Sequence, residues 1–243
     1  MPLKYMQGIL VKSDSVRIVD DPIVTEEKVN IYLNNEMLSS QVATPENLEE
    51  LGAGFVISES ISDIIESVRT DGNDIYVEAE LKRKLSPVTC SSGGACSNTP
   101  FKHVKSGMKI KKADIPAVTE EIVSDLWRQT GAVHYSVLFS EGRKVAGFSD
   151  IGRHNTIDKV IGYTALNGID TGRCYIGSTG RQPAGMVSKL ANAGIPVVIT
   201  KAATTTEGIR IASENGITLI CFARGDRFTV YSHPERIEDL NIP

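Results

Sequence analysis

Three short apolar runs, at residues 174–177, 197–200 and 217–222, recur in the last third of this chain with a helical stretch between each and the next. Strand-length runs of this kind, alternating with helices closed by Gly194 and Gly216, restrict the chain to an α/β layering with a mixed, largely parallel sheet and flanking helices. The helices are read at 186–192 and 207–214, and a further strand at 228–231 completes the sheet. Upstream, strands at 133–139 and 145–148 flank a Glu141-Gly142 turn, and a helix carrying Ile157, Val160, Ile161 and Ala165 ends near Gly168. In such a sheet the loops that follow the strands share one rim, here residues 177–182, 201–206 and 222–227.

The N-terminal half has a different texture. Val29, Ile31 and Leu33 alternate with polar neighbours before an Asn34-Asn35 turn, which predicts short antiparallel strands. Thr44-Pro45-Glu46 predicts a helix start, with threonine as cap and proline at the first helical position. Leu48, Leu51, Phe55 and Val56 follow as its core stripe. Ile75, Val77, Ala79 and Leu81 alternate again after Asp71-Gly72-Asn73. Residues 86–98 have no periodicity and are read as a loop, while Ile122 and Leu126 share a helix that ends near Gly131. The chain divides into an N-terminal α+β region, 1–112, ending in the cysteine loop, and an α/β domain, 113–243.

A net charge of −4 argues against a whole-protein nucleic-acid footprint. No run approaches the roughly 18 apolar residues that span a bilayer, and residues 1–10 hold no long apolar core. The expectation is a cytoplasmic protein with no membrane contact. Its four cysteines are then thiols. Cys174 and Cys221 border apolar runs and read as core, whereas Cys90 and Cys96 sit in a polar, glycine-containing stretch where a thiol is reachable.

One segment concentrates polar chemistry where a loop enters a helix: Asp150-Ile-Gly-Arg-His-Asn-Thr-Ile-Asp-Lys159. Exposed amides at a helix start favour an anion, and Asp150, Arg153, His154 and Asn155 add donors and acceptors of different reach; a capped, solvated helix start is the plainer reading. Thr179, Gly180 and Arg181 end another strand. Phe222, Ala223, Arg224, Gly225, Asp226 and Arg227 link the last two strands, where arginine suits phosphate and Asp226 suits a guanine edge; a charged hairpin is the alternative. Lys201 and Thr204–Thr206 add a third polar group, and three such loops on one rim point to a polyanionic ligand.

Standard signatures are missing. Gly177-Ser-Thr-Gly-Arg-Gln lacks the Gly-Lys-Ser/Thr of a phosphate loop, and no Gly-x-Gly-x-x-Gly follows a strand. His154 is followed by Asn155-Thr156 rather than by the glutamate of a zinc deaminase, and Cys90 and Cys96 precede it. Two cysteines with five residues between them fall short of a structural zinc set, so no metal site is expected. They remain open to three readings: a nucleophilic or sulfur-bearing thiol, a redox dithiol, or an ordinary surface loop.

The chain resembles the formate dehydrogenase accessory proteins, the FdhD family of sulfur carriers. The resemblance rests on Thr130-Gly-Ala-Val-His134 followed by residues 150–162, on residues 186–196 ending Ala-Gly-Ile-Pro, on residues 216–228, and on residues 45–55. It implies a cytidine-deaminase-like C-terminal core without zinc, and a homodimer. It implies a sulfur carrier that takes a persulfide from a cysteine desulfurase and passes sulfur to bis(molybdopterin guanine dinucleotide) for formate dehydrogenase. That cofactor, with its guanine nucleotide, is then the bound substrate. The resemblance places the persulfide on Cys90 or Cys96 and the cofactor on the three rim segments. The family pattern Cys-Gly-x-Cys-Gly is not kept here, and either Cys90 aligns with its first cysteine or Cys96 with its second. Ser149 and Ala202-Ala203-Thr204 also depart from the pattern. A cofactor-binding chaperone without covalent sulfur, and a dithiol redox protein, are the alternatives.

Overall fold

The computed structural model describes residues 2–82 and 102–242. Alternation in the N-terminal part produces two β layers. Strands β1 (Leu3–Val11) and β2 (Val16–Val24) form a freestanding hairpin. Strands β3 (Glu27–Leu33), β4 (Glu36–Ala43), β5 (Ser67–Asp71) and β6 (Asp74–Glu78) form a sheet in the order β4-β3-β6-β5. Val29, Ile31 and Leu33 all point into its core, as their spacing predicts.

Helix α1 (Leu48–Ser58) covers that sheet. It begins later than Thr44-Pro45-Glu46 suggests, because Asn47 caps it in a left-handed conformation and Thr44 is used elsewhere. The expected helix through Ile122 and Leu126 is two helices, α2 (Ile115–Glu121) and α3 (Asp125–Thr130). Ser124 starts the second by accepting a hydrogen bond from Trp127 N–H, and Gly131 closes it in the left-handed region. A strand β7 (Ile110–Lys111) precedes α2.

The C-terminal sheet runs β13-β12-β11-β10-β8-β9. Its strands are β8 (His134–Ser140), β9 (Arg143–Asp150), β10 (Cys174–Ser178), β11 (Val197–Thr200), β12 (Thr218–Arg224) and β13 (Arg227–Ser232). Only β10, β11 and β12 pair in parallel; the other pairings are antiparallel, so the sheet is mixed, as expected, but not largely parallel. The physical reason is that β8–β9 and β12–β13 are hairpins, whose short turns force antiparallel pairing. Helices α4 (Arg153–Leu166), α5 (Ala184–Ala193) and α6 (Thr206–Glu214) cover one face and α2 the other, giving two cores. Cys174 and Cys221 are buried in the first. A final strand, β14 (Ile237–Glu238), pairs with β7, and Val104 joins the core beneath α6, so residues 102–111 pack on the C-terminal half.

The two halves meet where α1 crosses α4. Gly54 and Gly162 bring the helix backbones together, and a knot of buried charge closes the same joint. Lys189 Nζ of α5 donates to Glu59 (2.7 Å), Ser58 Oγ (2.9 Å) and Asp158 (2.9 Å), all buried. Pairing is what makes burial of these charges tolerable.

Candidate functional site

Because β9 runs in the direction of β10, the C-terminal ends of β9, β10, β11 and β12 lie along one sheet edge with the start of β8. The rim segments are therefore brought together, as the sequence suggests. They are also laced to one another. Thr179 N donates to Tyr135 O (3.0 Å), Thr200 Oγ1 to Gly180 O (2.7 Å), Gln182 N to Ala203 O (2.9 Å) and Phe222 N to Ala202 O (3.0 Å).

The helix-start turn divides into scaffold and surface. Asp150 is fully buried. Its carboxylate accepts from Lys159 Nζ (2.7 Å), Asn155 Nδ2 (2.8 Å), Gly152 N (2.8 Å) and Thr44 N (3.2 Å). Asn155 also donates to Val42 O (3.0 Å). Asp150 and Asn155 thus tie the turn to β4 and its following residue. Asp150 orients Lys159 and Asn155.

Arg153 and His154 remain. Arg153 packs against Gly180, where a Cβ would stand 3.0 Å from the Cβ of Arg153, and its Nε is buried without a partner among the described residues. His154 lies beside Gly185 at the start of α5, its Nε2 3.7 Å from where a Cβ would be. Burial first, then Lys189, Arg153 and His134, push His154 down to about 3, so it is neutral at neutral pH. His134 stands at the start of β8 with Nδ1 3.2 Å from Thr179 Oγ1, and burial followed by Arg153 and Arg181 lowers it too, against Asp150. Arg153 itself is held below its ordinary value by burial and by Arg181.

Two arginines, Arg153 on α4 and Arg181 in the loop after β10, repel each other beside the imidazoles of His134 and His154, where α4 and α5 present their N-terminal amides. Such a set is relieved by an anion. A cleft of ≈ 320 Å³ opens beside it, lined by Trp127, His134, Ile151 and Thr179.

Farther along the rim, residues 222–227 are not a loop but the tip of the β12–β13 hairpin. Only Gly225 and Asp226 lie between the strands. A bulge between Cys221 and Arg224 sets Phe222 at φ 53°, which turns its ring outward (40% exposed) and buries Ala223. Ala223 consequently contributes packing, while Arg224, Asp226 and Arg227 are exposed. Lys201 lies beside this tip, lowered by burial and then by Arg224.

Sequence reasoning did not single out His134, Lys159 or Lys189 as site components. His134 was visible at a strand start beside the motif; nothing in the sequence marks the two lysines as buried. Cys90 and Cys96 lie outside the described residues. The flanks of their segment are described: Lys82 (2.5 Å) and Lys102 both pair with Asp63, just past the end of α1. Among the described residues, no three His, Cys, Asp or Glu side chains gather as a metal set, and no helix is long and apolar enough to cross a membrane.

Comparison with known proteins follows the same lines. The model of the FdhD/NarQ family matches residues 24–238. The sulfur carrier protein FdhD of Wolinella succinogenes is 34% identical over 90% of this chain and 83% of its own length. That of Methanothermobacter thermautotrophicus is 33% identical over 92% and 94%. A crystal structure from Desulfotalea psychrophila, described as a formate dehydrogenase accessory protein, superposes with a TM-score of 0.84 at 26% identity, covering 98% of this chain and 100% of that one.

Proposed function

This chain belongs to the FdhD/NarQ family, and from that premise we propose that it is a sulfur carrier serving formate dehydrogenase maturation. In this reading a Cys90 or Cys96 thiolate attacks the outer sulfur of a desulfurase persulfide. The desulfurase S–S bond breaks, its thiolate leaves, and the carrier holds the outer sulfur as its own persulfide. The recipient is bis(molybdopterin guanine dinucleotide), bound at the rim as substrate.

Each rim group has a task in this scheme. Arg153 and Arg181, with the N–H groups that open α4 and α5, take phosphate oxygens. Neutral His154 supplies a hydrogen-bonding nitrogen without adding charge. Phe222 offers an exposed ring face for a base, Asp226 accepts from a guanine edge, and Arg224 and Arg227 bracket the hairpin tip. The observation that carries the proposal is the convergence of Arg153, Arg181, His134 and His154 at the starts of α4 and α5, with the nearby Asp150 carboxylate already engaged by Lys159.

The test has two arms. Incubation with a cysteine desulfurase and cysteine is expected to add sulfur to the chain by intact mass, and the Cys90→Ser/Cys96→Ser variant to lose the adduct. Guanosine diphosphate is expected to bind wild type and to be released by salt. Sulfur transfer at the normal rate by the double serine variant ends the proposal.

A further inference from the structure

The rim occupies one end of the C-terminal sheet. A second cavity, of ≈ 740 Å³, opens at the other end, beside the start of β10 and the Glu141-Gly142 turn. One of its walls is a run of seven consecutive residues, 105–111. That wall is pinned but not paired. Val104 N donates to Asn215 O (2.8 Å), Ser106 Oγ donates to Gly172 O (2.6 Å), and β14 pairs with one edge of β7. Among the described residues, the main chain of 105–108 makes no hydrogen bond to other main chain, and the second edge of β7 has no partner strand. Met108 N–H is met by a side chain, Ser106 Oγ (3.0 Å). A pinned row of unpaired main-chain donors and acceptors is a template for another strand.

A buried hydroxyl opens onto the same cavity. Tyr175 is 3% exposed, lines the cavity, and stacks on Phe139 with ring centroids 5.0 Å apart. Its hydroxyl has no hydrogen-bond partner among the described residues. Burial, then the Asp114 carboxylate, pushes its ionisation up to about 12, so it stays a donor. A free donor on an otherwise buried side chain marks where a ligand acceptor would sit. The charge around it is of both signs. Lys105, Lys109 and Lys111 stand on the wall, where residues 102–112 hold no acidic side chain. Asp114, Asp170 and Glu238 lie elsewhere on the lining, and none of these six makes an ion pair among the described residues. Arg173 and Glu141 pair with each other.

We propose that this cavity binds an extended peptide segment of a protein partner, one that carries side chains of both charges. The main chain decides between a peptide and a small metabolite. A metabolite would leave most of the 105–108 backbone unpaired, whereas an added strand supplies N–H and C=O groups at the matching repeat. Acidic side chains of the segment meet Lys105 and Lys111, basic ones meet Asp114 and Glu238, and one carbonyl accepts from the Tyr175 hydroxyl. The site lies at the opposite strand ends from the rim and does not depend on the cofactor reading.

The experiment is fluorescence anisotropy on the full chain with three dye-labelled, capped heptapeptides. One alternates valine with glutamate and lysine in turn; in the other two the charged positions are all glutamate or all lysine. The mixed peptide is expected to bind at least ~10-fold more tightly than either of the others. Tyr175→Phe keeps the ring and its stack on Phe139, and is expected to weaken mixed-peptide binding by roughly 3- to 10-fold. Lys105→Glu with Lys111→Glu, at two exposed positions, is expected to turn the preference toward the all-lysine peptide. Hydrogen exchange on unaltered protein gives an independent reading, in which the mixed peptide slows the amides of residues 105–111. Failure of all three peptides to bind at millimolar concentration overturns the proposal. So do equal affinities for the three, a Tyr175→Phe variant that binds as wild type does, or slowed exchange confined to the rim.

Discussion

Gly54 and Gly162 face each other where α1 crosses α4. A Cβ on Gly54 would stand 1.7 Å from the Asp158 carbonyl oxygen, and one on Gly162 1.9 Å from that of Glu50. The contacts are backbone, so no rotamer change relieves them. Gly54→Ala and Gly162→Ala are each expected to cost about 3 kcal/mol, the upper end for overpacking, and to lower the urea midpoint. An unchanged midpoint would show that the helices have room to separate.

Lys189 anchors the same joint from α5. Lys189→Met leaves Glu59 and Asp158 buried without their cation and is expected to cost about 3–5 kcal/mol in chemical denaturation. Adding Glu59→Gln and Asp158→Asn to that variant is expected to restore part of the loss, because the orphaned charges go with it. Additive losses would contradict this account.

Asp150 and Arg153 separate scaffold from ligand contact within one turn. Asp150→Ala strands Lys159 in the interior and is expected to lower thermal stability strongly. Arg153→Ala and Arg181→Ala are expected to leave the melting temperature within a few degrees of wild type. Each should weaken guanosine diphosphate binding by roughly 10- to 100-fold, measured by calorimetry, as for loss of a charge-assisted hydrogen bond. Equal affinity in all three proteins would remove the basic cluster from the binding site.

His154 gives a pH signature. Folded, it stays neutral down to about pH 3; in the unfolded chain the imidazole takes a proton near its ordinary 6.5. The unfolded state thus binds more protons between those values, and stability falls as pH drops through that window. Burial pushes Asp158 upward, which works in the opposite direction. A His154→Gln variant keeps the Asp158 contribution and is expected to lose less stability than wild type between pH 7 and pH 4. Parallel losses in urea titrations would place His154 in a more solvated setting.

The central strands were legible because β10 and β11 are buried on both faces, which requires uninterrupted apolar runs. Hairpin turns at Glu141-Gly142 and glycine caps were legible for a similar local reason: only certain residues adopt positive φ. The placement of the outer strands was not legible, since nothing local to β8 states that it lies beside β10 and runs opposite to it. The burial of Asp150 and Asn155 was not legible because a polar helix start looks alike whether it faces solvent or, as here, a neighbouring strand. Lys159 and Lys189 read as solvated helix residues, and their carboxylate partners on other elements are a property of the tertiary structure. The bulge that turns Phe222 outward was not legible, because it depends on pairing with β13.

Lys82 and Lys102 meet at one carboxylate, Asp63, so the segment that holds Cys90 and Cys96 leaves and re-enters the scaffold at a single gatepost.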